Sequence, residues 1–219
     1  MTLFTIFMGM ISTADAGAVG HDVQYEMSTI QTQDSRWDLV GSNILSMTGV
    51  RGSWRVTDTI NVTGGWRRGT TNSSADLYEA DMTVMEEGTY PIVVDGPQIG
   101  LRLDQASVGA KYTWAAKHWM QPYGSGGVEV SIASLSLDDD TDSDGNINEV
   151  SYTSVRPGAY AVAGVDFLPF SKDKRFRAAV FVETGFHTSM DLSFANDDHT
   201  VGELPLGGVV TRAGLGVRF

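Results

Sequence analysis

The chain has 219 residues, enough for one domain or one small barrel and too few for two well-cored domains joined by a linker. Its net charge of -12 excludes the basic footprint expected of a nucleic-acid binder, and its lack of cysteine excludes disulfide frameworks, thiolate metal sites and cysteine nucleophiles. Past the first residues no apolar run reaches the roughly 20 residues of a spanning helix, and apolar spacing of three and four is scarce, so the chain reads as all-β.

Residues 1–16 read as a signal peptide. Leu3 to Ile11 is a short apolar run and Ala14-Asp15-Ala16 fits a small-residue cleavage site, which leaves 17–219 as a single mature domain. The basic residues that ordinarily precede such a run are missing, so the alternatives are a start further upstream or a buried first strand. A strand follows around Val23 to Thr32, where the alternation is ambiguous, and then an acidic segment, Asp34 to Gly41.

The second strand, Ile44 to Val56, places Val50, Trp54 and Val56 on one face and Arg51, Ser53 and Arg55 on the other, as the two-residue period of a strand requires. Thr57-Asp58-Thr59 turns tightly into a third strand that sets Ile60, Val62 and Trp66 against Asn61, Thr63 and Arg67. After a long segment, Thr70 to Pro97, the fourth strand opposes Ala106, Val108, Ala110, Tyr112 and Trp114 to Gln105, Ser107, Lys111 and Thr113. Ala116-Lys117-His118 turns into the fifth, with Val128, Val130 and Ile132 against Ser125, Glu129 and Ser131.

The next long segment, Asp138 to Glu149, carries a motif. Asp140, Asp142 and Asp144 stand at alternate positions before Gly145, Asn146 and Ile147, as in the first half of an EF-hand loop, where such spacing offers several oxygens to a hard cation. The candidate Ca2+ ligands are Asp140, Asp142, Asp144, Asn146 and Glu149. The twelfth position is Ser151 instead of a bidentate Glu, and the flanks read as strands, so the alternative is a solvated acidic hairpin loop.

The sixth strand sets Ala159, Ala161, Ala163, Val165 and Phe167 against Arg156, Tyr160 and Asp166. Ser171 to Lys174 turns into the seventh, with Phe176, Ala178, Val180, Val182 and Phe186 opposite Arg177, Glu183 and His187. Asp191 to Leu206 is a last long loop, and the eighth strand sets Val209, Thr211, Ala213, Leu215, Val217 and Phe219 against Arg212 and Arg218. Short turns therefore alternate with long loops around eight strands, the asymmetry of an outer-membrane barrel with short periplasmic turns and long extracellular loops. Soluble β proteins also alternate. Aromatic residues near strand ends, such as Trp54, Trp114, Phe167 and Phe176, match interfacial girdles instead, and a polar face of glycines and paired charges suits a narrow lumen. The expected fold is an eight-stranded antiparallel up-and-down transmembrane β-barrel.

The terminal run Val209 to Phe219 (VVTRAGLGVRF), alternating and closing on an aromatic residue, resembles the signature of bacterial outer-membrane β-barrels. Gly49 to Gly65 and Val108 to Gly124 are similar to the small barrels of the OmpA-transmembrane-domain type. The resemblance covers about Gln24 to Phe219. It implies a Gram-negative outer membrane, contact with membrane lipid and lipopolysaccharide, and recognition of the last strand, with Phe219 as signal, by the barrel-assembly machinery.

Parity sends Arg51, Arg55, Arg67, Lys111, Arg156, Arg177, Arg212 and Arg218 into the lumen with Glu26, Glu129, Asp166 and Glu183. An eight-stranded interior is just filled by side chains, so these charges would pair into a plug; the alternative is a path for ions or solutes lined by arginine. His187-Thr188-Ser189 resembles the His-x-Ser element of outer-membrane lipid A deacylases, with Glu203 as a possible acid, but His187 and Ser189 share the lumen parity, and the residues that accompany the motif are absent. His187 is read as a lumen or rim histidine. The sequence thus points to a non-enzymatic outer-membrane barrel, with no required cofactor and an unknown surface ligand, anchoring acidic loops for envelope structure, adhesion or surface recognition. The alternative is a narrow porin-like channel or small-solute transport barrel.

Overall fold

A computed structural model describes residues 21–34, 37, 42–74, 98–114, 119–141, 147–169, 176–195 and 200–219. Eight antiparallel strands close into a barrel in the cyclic order β1, β10, β7, β6, β5, β4, β3, β2, and two short strands, β8 and β9, form a separate hairpin. The barrel strands are β1 (Asp22–Thr32), β2 (Ile44–Arg55), β3 (Ile60–Ser74), β4 (Gln98–Thr113), β5 (Met120–Thr141), β6 (Ile147–Phe167), β7 (Arg177–Ser189) and β10 (Gly208–Arg218); the hairpin is β8 (Leu192–Ala195) and β9 (Thr200–Leu204). Closure is made by β1 on β10, paired without interruption from Asp22↔Arg218 to Thr32↔Gly208. His21 and Phe219 continue that seam, each backbone N–H donating to the other's carbonyl at 3.0 and 2.8 Å.

The predicted phases hold near the turns. Trp54, Val62, Val108, Tyr112, Val128, Val182 and Leu215 face outward, while Arg51, Arg67, Lys111, Glu129, Glu183 and Arg212 are buried inside. The ambiguous first strand sends Asp22, Gln24, Glu26 and Ser28 inward and Tyr25 and Met27 outward.

Three segments read as loops are partly strand. β3 and β4 pair as far as Ser74↔Gln98, and β5 and β6 as far as Thr141↔Ile147, so segments 70–97 and 138–149 begin as extended hairpin arms. β5 has 22 residues and β6 has 21, about twice the 9 to 11 that span a bilayer. The third, Asp191 to Leu206, contains the β8–β9 hairpin. Its position follows from an edge: β6 leaves β7 at Gly158↔Ser189, and above that point it would expose unpaired backbone. There Ser193 N–H donates to Ser154 Oγ at 3.1 Å and Arg156 Nε to the Asp191 carbonyl at 2.9 Å, so the hairpin covers the edge.

Toward this mouth the inside of the barrel turns apolar. Ile30, Leu45, Met47, Leu101, Leu103, Ala133, Leu135 and Val210 form one buried cluster with Trp37 and with Leu192, Phe194, Leu204 and Leu206 of the hairpin region. The outward face reverses in step: at the same level β2, β3, β4 and β5 show Thr48, Arg68, Asp104 and Arg102, and Ser134. No register shift accompanies the change in these pairs; each strand swaps the chemistry of its two faces while its geometry continues.

The segment 1–16 and the turns 116–118 and 171–174 lie outside the described residues. So do Asp142, Asp144 and Asn146; Asp140 and Glu149 belong to β5 and β6, but their side chains are likewise not described.

Candidate functional site

The distinctive side-chain constellation is the charged lumen, stacked in three tiers. Nearest the turns, Arg218 donates from Nη1 to Gln121 Oε1 at 2.6 Å and from Nη2 to Asp166 Oδ2 at 2.7 Å and Asp22 Oδ2 at 3.2 Å. Lys111 Nζ donates to Asp166 Oδ2 at 2.6 Å and lies 3.9 Å from the Tyr123 ring centroid. One carboxylate on β6 thus holds cations from β4 and β10.

The middle tier is built on Glu183 of β7, which is 1% exposed. Arg51 Nη1 reaches both of its oxygens at 2.9 Å, Arg212 Nη1 donates to Oε1 at 3.0 Å, and Tyr123 OH donates to Oε2 at 2.6 Å. Arg51 also donates to Gln24 Oε1 from Nε and Nη2, at 3.2 and 2.9 Å, and stacks 4.1 Å over the Phe181 ring. β2 and β7 are separated by β1 and β10 in the sheet, so the Arg51–Glu183 bond crosses the lumen. Gly164 leaves room for Glu183 and Tyr123 to meet: an added Cβ there would lie 2.6 Å from Glu183 Cβ and 2.8 Å from Tyr123 Cζ.

In the third tier Arg67 Nη2 donates to Glu129 Oε2 at 2.9 Å, and Gln105 bridges the tier by accepting from Arg67 Nε at 2.7 Å and donating to Glu129 Oε1 at 3.2 Å and Ser131 Oγ at 2.9 Å. His187 Nε2 contacts Glu129 from β7. Above this tier the apolar cluster begins. It is closed by Trp37, whose Nε1–H donates to the Pro205 carbonyl at 2.7 Å and so ties the loop after β1 to the segment before β10.

Three residues expected in the network stand elsewhere. Arg55 pairs with Asp58 in the β2–β3 turn, because the strand ends there and the turn carboxylate is the nearer partner. Arg156 bonds the Asp191 backbone under the hairpin. Arg177 lies opposite Arg218 at the rim, where two cations face each other, and among the described residues it is Arg218 that pairs with the acids Asp22 and Asp166. Conversely, of the polar neutral members, Gln105 and Ser131 were legible only as polar parity and Gln24, Gln121 and Tyr123 were not singled out, since nothing in a one-dimensional pattern marks a Gln as a bridge. His187 and Ser189 do not join: the histidine meets Glu129, while Ser189 Oγ donates to the Pro157 and Met190 carbonyls at 3.3 and 2.9 Å.

Chemically the arrangement pairs buried charges of opposite sign inside the barrel. Among the described residues no group of three or more His, Cys, Asp or Glu is placed to hold a metal ion.

No family model matches the chain, and no curated protein matches it. Solved structures do. Neisserial surface protein A aligns over 93% of this chain and 99% of its own, with 16% identity and a TM-score of 0.51. A major outer membrane protein from Thermus thermophilus aligns over 91% of this chain and 100% of its own, with 13% identity and a TM-score of 0.53. With its closed ring of eight antiparallel strands, apolar outside near the turns and charged within, the chain has the fold of the small outer-membrane β-barrels.

Proposed function

We propose that the chain is a closed outer-membrane anchor that carries the β5–β6 arm and the β8–β9 hairpin at the cell surface, and that it catalyses no reaction. What supports the closed reading is a lumen blocked twice, by three tiers of paired charge and by an apolar layer in which Trp37, Leu103, Phe194 and Leu206 are buried to 1% exposure or less. An ion would have to break buried pairs, among them the Arg51–Glu183 pair that spans the lumen, and then cross a hydrocarbon layer where it gains no ligand. The acidic segments 70–97 and 138–149 would then face outward for envelope structure, adhesion or recognition. On the same reading the strand ending at Phe219 is what the assembly machinery engages.

Single-channel recording in planar bilayers tests this directly. The wild-type barrel is expected to insert without discrete conductance steps. Regular steps from the purified chain would overturn the anchor and favour the narrow channel.

A further inference from the structure

The outward face of a membrane barrel should carry little charge, yet β3 and β4 place Arg68, Arg102 and Asp104 together on it. Arg68 Nε donates to Asp104 Oδ1 at 2.7 Å and Arg102 Nε to Asp104 Oδ2 at 3.0 Å, so one carboxylate aligns two guanidiniums. The arginine side chains remain open to the outside, 43% and 51% exposed against 16% for the acid. Arg68 is further held 4.9 Å over the Trp66 ring. Two cations oriented by one anion leave a net positive charge, on a chain whose total is -12.

Height decides what this patch meets. A tilted strand climbs roughly 2.5 Å per residue along the barrel axis. Counting along the chain from Trp114, the outward aromatic residue just past the turn end of β4, Asp104 lies roughly 25 Å up and Arg102 roughly 30 Å, which is the far boundary of an apolar band about 25 Å tall. The side chains agree: Tyr112, Ala110, Val108 and Ala106 lie outward below the patch, Ile132 stands beside Asp104, and Thr70 and Ser134 flank Arg102, with Thr153 next to Ser134. The patch therefore sits where the headgroups of the outer leaflet begin.

We propose that Arg68 and Arg102, aligned by Asp104, form a docking site for a phosphate of an outer-leaflet glycolipid. Guanidinium matches phosphate oxygens through paired N–H donors, and a headgroup at this depth is presented to the site without leaving the membrane. The proposal rests on the barrel spanning an outer membrane with its mouth outward.

Native mass spectrometry of the full folded chain in detergent tests it, with diphosphorylated lipid A, lipid A stripped of phosphate, and inorganic phosphate as probes. The wild type should retain the phosphorylated lipid at least about tenfold better than the stripped one, as two interfacial arginines would give. Arg68→Gln/Arg102→Gln should abolish that preference, and Arg55→Gln, at the opposite end, should leave it intact. Asp104→Asn should strengthen it, a gain that misfolding cannot mimic. An unchanged preference in the double variant, or displacement of the lipid by millimolar inorganic phosphate, would overturn the site. Failure of the wild type to insert into liposomes would instead remove the membrane reading beneath it.

Discussion

Near the turns each strand carries apolar side chains outside and charge inside, whereas toward the mouth the same strands carry Leu45, Met47, Leu101 and Leu103 inside and Thr48, Arg68, Asp104 and Arg102 outside. The lower zone obeys the rule for a strand in lipid, where a polar lumen is sheltered and the exterior must match hydrocarbon. The upper zone obeys the rule for a strand in water, where the interior is the hydrophobic core. On the proposed membrane reading, a single continuous sheet crosses from one solvent to another, and the residue at which its faces exchange chemistry marks the boundary.

The two interiors should fail differently. Glu183→Gln removes the acid that holds Arg51 and Arg212, stranding two buried cations, and should destabilise the barrel by about 3 to 5 kcal/mol, read as a lower urea midpoint. Asp58→Asn, which breaks only the exposed turn pair with Arg55, should cost less than about 1 kcal/mol. Equal midpoints would mean that the lower lumen is hydrated and the two zones are not distinct solvents.

The exterior supplies the next test. Val108 lies outward on β4 at mid-band and Ser134 outward on β5 beside Arg102. Val108→Arg should reduce folding stability in lipid vesicles by about 2 to 4 kcal/mol, and Ser134→Arg by about 1 kcal/mol or less. Similar penalties at the two positions would erase the proposed boundary.

The smallest effect concerns the cap. Trp37→Phe keeps the buried ring but loses the bond to Pro205, about 1 kcal/mol. Because that bond ties the cap and not the staves, the urea midpoint should hardly move, while protease cleavage within 191–206 should accelerate about fivefold. A fall in the midpoint as large as that of Glu183→Gln would show that the apolar layer and the charged tiers are one cooperative unit.

The barrel and its strand parities were legible because alternation is a local property, and in the lower zone it points one way. Parity also found Glu183, Arg51, Arg67 and Lys111. It could not name their partners, since the Arg51–Glu183 bond joins positions 132 residues apart through the lumen. The first strand read as ambiguous for a physical reason: its apolar residues move from the outward Tyr25 and Met27 to the inward Ile30 partway along. The same shift from Val108 and Ala106 to Leu103 and Leu101 is present in β4, and two apolar phases within one strand are the signal that would have extended β3 to β6 beyond the membrane. The β8–β9 hairpin left a fainter trace, because four residues cannot establish a period.

The seam between β1 and β10 joins the two ends of the described chain, so its ladder has nothing to pair with until every intervening strand is in place. Contacts of such sequence separation form late, after most of the loop-closure entropy has been lost. Until then the sheet has two bare edges, which lipid cannot satisfy and which neighbouring chains can. The unfinished barrel, with both edges bare, is accordingly the species expected to aggregate. Once the seam has closed, the asymmetry works in reverse: reopening must part eleven paired positions together, and the folded protein persists through slow unfolding.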